Sequence, residues 1–107
     1  PCFHVSLICD VSPNCDCHAE NDIPIVPNIG MLASFDPVAL DMACADMVNA
    51  ADIVPHSQLD KHVHDEKFAD EHGDHFHMNH PDTDWKTCIA HAKKIGLGTD
   101  EYELVRI

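Results

Sequence analysis

Apolar and polar residues alternate over residues 3–10. Phe3, Val5 and Leu7 fall on one side and His4, Ser6 and Ile8 on the other, which is the period of a strand. Ser12-Pro13-Asn14 stops it with turn chemistry. Residues 15–24 follow neither period and read as a loop. Ile25 and Val26 stand between Pro24 and Pro27, so that piece is extended but barred from a fully paired central strand. Residues 29–33 are a short apolar run and read as a buried strand, with Gly30 allowing close backbone approach.

The period then changes. Asp36-Pro37 is a helix start, because aspartate caps the first amides and proline lacks only an N–H that would be unpaired there. Val38, Met42, Ala45 and Val48 recur on one helical face, and the helix is expected to end near Ala51, before Pro55. Asp41 has Pro37, Val38, Cys44, Ala45 and Val48 as helical neighbours. A carboxylate inside that stripe needs a partner, a proton or a metal, unless it sits at the edge and caps a neighbouring loop. Residues 52–80 have few large apolar residues and seven of the ten histidines, and read as a charged, weakly helical excursion over the surface. Residues 81–98 form a second helix, capped by Asp82 or Thr83, with Trp85, Cys88, Ile89, Ala92 and Ile95 as its stripe and Gly96 as its terminator. Residues 102–107 are rich in β-formers and read as a last strand. The sum is an α/β fold: a small sheet with two main helices packed on it and a histidine-rich excursion between the helices.

Length and charge narrow the picture. The 107 residues, 45% of them hydrophobic, suit one domain over residues 1–107 with its own core. A formal net charge of -13 excludes nucleic acid and anionic membrane as partners, since both repel an acidic surface. There is no apolar run of spanning length and no signal-peptide pattern. The chain begins at Pro1 without an initiator Met and reads as the C-terminal fragment of a longer protein, whose missing upstream part would be a partner. Six cysteines allow a disulfide framework, but Cys44 and Cys88 fall on apolar helix faces and Cys15 and Cys17 are too close for an easy mutual bridge. A reduced, cytoplasmic protein with one thiolate site fits better.

Cys15-Asp16-Cys17-His18 is the first candidate metal site. Two thiolates and an imidazole suit zinc or iron, and an irregular loop after Pro13-Asn14 can aim residues one apart at a single ion. The spacing is not the usual Cys-x-x-Cys, and buried thiols in a turn are the alternative. His72, His75 and His77, with Asp70, Glu71 and Asp74 nearby, are a second candidate, against a solvated loop. No nucleophile elbow, phosphate-cradling glycine loop or Ser/His/Asp ordering supports a hydrolase or kinase, and whether the chain is an enzyme stays open.

Four pieces together carry a resemblance: Cys15-Asp16-Cys17; Pro27-Asn28-Ile29-Gly30 with Ala33-Ser34 and Asp36-Pro37-Val38-Ala39-Leu40-Asp41; His80-Pro81 leading to Trp85; and Gly96-Leu97-Gly98 with Glu101-Tyr102-Glu103-Leu104. They resemble the C-terminal part of the domain of unknown function 362 family, whose members are often iron–sulfur-associated. The resemblance places His80 beside the cysteine motif and makes it the preferred distant ligand. It implies an iron–sulfur cluster in the full-length protein and a redox partner. Two departures stand out. The Cys-x-x-Cys runs of a ferredoxin-type insert are missing here, so no four-cysteine cluster can be placed by motif. Asn28 stands where the family pattern suggests aspartate. The expected function is a metal-associated module, the scaffold part of an iron–sulfur or redox-linked protein. The alternatives are a non-catalytic zinc-binding or structural module and a metal-sequestering histidine-rich protein.

Overall fold

The computed structural model describes residues 1–71 and 73–107. Its sheet has two antiparallel strands, β1 (His4–Ile8) and β2 (Gly30–Ser34), in register from His4 opposite Ser34 to Ile8 opposite Gly30. The helices are α1 (Pro37–Ala50), α2 (Gln58–Val63), α3 (His75–Asn79) and α4 (Trp85–Lys94), with a 3-10 turn (Glu66–Glu71) between α2 and α3. Among the described residues this is a small α/β fold with a two-strand sheet and four helices, two more than the period of the sequence suggested.

Side-chain alternation gives the sheet two unlike faces. His4, Ser6, Ile8, Leu32 and Ser34 turn toward α1 and are buried or half-buried, while Val5, Leu7, Met31 and Ala33 are exposed. The Ser6 hydroxyl donates to the Cys44 thiol of α1, which fixes the inner side. α1 lies across both strands and α4 packs against α1.

Asp36 caps α1 as expected: its carboxylate accepts from the amides of Val38 and Ala39 at 2.9 and 3.0 Å. The helix buries Val38, Ala39, Leu40, Ala43, Ala45 and Val48. Asp41 is exposed, at the edge of the apolar stripe beside Cys44, Ala45 and Val48. The piece between Pro24 and Pro27 is not a strand, yet Ile25 and Val26 are core residues. Ile25 N–H donates to Val11 O and Val54 N–H to Ile25 O, each at a single point.

Residues 52–80 are more than a surface excursion. Leu59 and Met78 are fully buried and join Ile8, Ile25, Val26 and Val48 in the core. Buried Ser57 caps α2 by accepting the Asp60 amide.

Two expectations in the C-terminal third are corrected. α4 is capped by Asp84, not by Asp82 or Thr83. Thr83 is held in a turn instead, its amide and hydroxyl both donating to His80 O. The stripe of α4 is incompletely covered, for no residue of the helix is buried. Residues 102–107 are not a strand. They carry β-formers but are exposed and unladdered, and Tyr102 instead donates its hydroxyl to Asp46 of α1 at 2.6 Å.

Candidate metal centre

The loop that leaves β1 is tied at its neck. The Asn14 amide donates to Asn21 Oδ1, Asn21 Nδ2 donates to Asn14 O, and Asn14 Nδ2 donates to Glu20 O. The chain between these asparagines turns tightly, with His18 N–H on Cys15 O at 2.9 Å. Cys15, Asp16, Cys17 and His18 are therefore presented at the tip, all exposed. The asparagines close the loop in the way side-chain amides replace ladder bonds in turns.

A second anchor reaches the same loop from α3. The buried Pro13 presents its carbonyl to two donors, Asn79 Nδ2 at 2.7 Å and His80 Nε2 at 2.6 Å. A carbonyl only accepts, so His80 holds its proton on Nε2 and its Nδ1 is the basic nitrogen of the neutral ring. The His80 ring lies 6.4 Å, centroid to centroid, from that of His18. His18 Nδ1 is 4.0 Å from Glu20 Oε1.

The two thiols interact. The Cys17 amide and then the Cys17 thiol donate to Cys15 sulfur, holding the Cys15 thiol below its ordinary value. Cys17 is pushed up, first because its thiol is that donor and then because a Cys15 thiolate repels a second negative charge. The loop thus carries one activated thiol beside one reluctant thiol. No three His, Cys, Asp or Glu side chains among the described residues converge as they stand on a metal position. All six cysteines are free. Cys44 is half-buried, and burial pushes its thiol up. Cys88 is exposed, on the helix face it shares with Trp85 and Ile89.

In the second candidate site each described imidazole bonds a carbonyl through one ring nitrogen. His75 donates from Nε2 to Ala51 O at 2.9 Å, and its amide donates to Asn49 Oδ1. His77 donates from Nε2 to Pro81 O at 2.8 Å. Asp74 caps α3 and accepts Trp85 Nε1 at 2.9 Å. His72 and the side chains of Asp70 and Glu71 lie outside the described residues. His62 and His64 likewise donate from Nδ1 to carbonyls, of Met78 and Asp60. His62 and His75 thereby brace one segment against another, whereas these bonds of His64 and His77 span four residues. Sequence reasoning passed over Asn21 and Asn79, named Asn14 only as part of a turn, and offered Asp74 only as an oxygen ligand beside the histidines. Their signal was faint: asparagines on either side of a cysteine pair, and polar residues next to histidines.

The family model described as Domain of unknown function (DUF362) matches residues 2–46. The match takes in the cysteine loop, both strands and most of α1, in the N-terminal part of the chain. It does not extend to His80, Trp85 or residues 96–104, where the rest of the resemblance was expected. No curated protein and no solved structure matches the chain. Asn28 accepts the Asp10 amide at 2.9 Å and closes the end of the strand pair. No helix among the described residues is long and apolar enough to cross a membrane.

Proposed function

We propose that this chain is a metal-associated module in which Cys15, Cys17, His18 and His80 hold one transition-metal ion, zinc or iron. One observation carries the reading: a residue 65 positions from Cys15 in sequence brings its imidazole to a loop whose tip bears two interacting thiols. The bond from His80 Nε2–H to Pro13 O is the kind of outer bond that orients metal-ligating histidines and raises the basicity of the other nitrogen. Cys15, Cys17 and His18 are exposed and His80 is half-buried, and closing the four onto an ion would take a rearrangement of the loop tip. Two thiolates and two imidazoles make a tetrahedral set for zinc or ferrous iron. Bound there, the ion would lock the loop to α3. The wider reading, a scaffold part of an iron–sulfur or redox-linked protein, rests on the family resemblance.

The test is metal content by mass spectrometry after anaerobic purification and chelator dialysis. Wild type should retain roughly one ion per chain, and Cys15→Ser and Cys17→Ser should lose it. His80→Ala should weaken retention while leaving the thiols in place. Equal metal in all variants, or none in wild type, would end the proposal. Retention should also fall as acid protonates the ligands.

A further inference from the structure

We infer that the outer face of the β1–β2 sheet is a self-association surface that takes a second copy of this chain. The face is built from cross-strand pairs, Val5 opposite Ala33 and Leu7 opposite Met31, with Phe3 and Phe35 in ring contact at 4.9 Å beyond them. Phe3, Val5, Leu7, Met31 and Phe35 are 58%, 55%, 63%, 68% and 70% exposed. The sheet is therefore more apolar outside than inside, where His4, Ser6 and Ser34 face α1. A half-buried antiparallel sheet normally shows the opposite arrangement.

Area and charge choose the occupant. The outer residues present on the order of 600 Å² of mostly apolar surface, at the upper end of the largest patch on an ordinary monomer. Two copies packed face to face would cover about 1,200 Å² together, enough for a specific interface of the smaller kind. None of the six outer residues is charged, although the chain has 19 acidic residues. An acidic chain can thus place this face against its own copy without burying a charge. A two-fold axis near Val5 and Ala33 would set the Phe3–Phe35 end of one copy over the Leu7–Met31 end of the other, an isologous contact.

Sedimentation equilibrium tests this on the full chain. Wild type should pass from monomer to dimer around a dissociation constant on the order of 10 µM, as small interfaces do. Added sodium chloride should tighten the dimer, because it screens repulsion between two acidic copies. The double variant Leu7→Lys/Met31→Lys should dimerise at least tenfold more weakly. Glu101→Lys, which makes the same change in net charge away from the face, should dimerise no more weakly than wild type. In wild type, amide exchange at residues 3–7 and 31–35 should slow as concentration rises. A monomer at every concentration would give the face to some other polypeptide and overturn the proposal. A dimer as tight in the double variant as in wild type would overturn it too.

Discussion

At the scale of single residues, Asp36 does more than cap a helix. Its carboxylate accepts the amides of Val38, Ala39 and Thr99, the last at 2.9 Å, so it joins α1 to the segment after α4. Those bonds, with Ala39 first and Thr99 next, hold its acid below the ordinary aspartate value. A depressed folded-state value adds stability above the unfolded value and loses it as pH falls through the folded one. Wild type should therefore lose melting temperature below about pH 4, and Asp36→Asn should flatten that loss. At neutral pH Asp36→Ala should lower the midpoint by roughly 5 °C, the usual scale for a lost cap. Gly98 explains why the approach is possible, since a β-carbon there would collide with the Asp36 carboxylate. Gly98→Ala should destabilise wild type more than it destabilises Asp36→Ala, and a double-mutant cycle on melts reads the difference. Cys15 gives a chemical test on the same scale. Its thiol lies below the ordinary value and is exposed, so limiting iodoacetamide without metal should label Cys15 before Cys17. Peptide mass spectrometry reads the order, and equal labelling would contradict it.

At the scale of elements, the periods of the sequence located β1, β2 and α1 well. Local chemistry decides those three: alternation, a turn and a cap. It located α4 but misplaced its start, because whether Thr83 caps a helix or closes a turn depends on the His80 carbonyl that faces it. It misread residues 102–107, because β-formers make a strand only where they pair with another, and Tyr102 is held to Asp46 of α1 instead. It also undervalued residues 52–80. Leu59 stands amid charged residues and histidines, so no period marks it, yet it is fully buried. The long-range contacts that bury it are not written in its neighbours. Leu59→Ala should cost about 2–5 kcal/mol, the range for a fully buried leucine, and urea melts read it. A loss under about 0.5 kcal/mol would return the segment to the surface role its composition suggests. For the candidate metal centre, the cysteine pair and His18 were legible as ligand types at close spacing. The position of His80 came from the family resemblance, and its bond to Pro13 could not have come from spacing.

For the whole molecule, shape and charge set behaviour. The radius of gyration is 14.7 Å with extents of 43 × 29 × 27 Å, longer in one direction than a compact chain of this size. The net charge of -13 becomes -3 when all ten histidines are protonated. Near the sequence pI of 4.8 self-repulsion is weakest, so solubility should pass through a minimum there. Turbidity against pH reads it, and a flat profile would show that charge does not govern colloidal stability. The histidine–carbonyl bonds should outlast this titration, because an imidazolium still donates to the carbonyls of Ala51, Pro81 and Pro13. Mild acid should leave the far-ultraviolet circular dichroism unchanged while solubility falls.

The Pro13 carbonyl has a consequence in time as well as in space. Its two donors lie 66 and 67 residues further along the chain. A bond between such distant points bears the entropy of closing a long loop, so it belongs late in folding, after local turns and helices have formed. The cysteine tip, tied by Asn14 and Asn21 a few residues apart, can form early. During refolding the two thiols would thus be assembled before the imidazole of His80 arrives. If the loop binds an ion as proposed, one captured early would be held by Cys15, Cys17 and His18 without His80, and its residence time would lengthen only when α3 docks. The retention of metal would then act as a clock for the last step of folding.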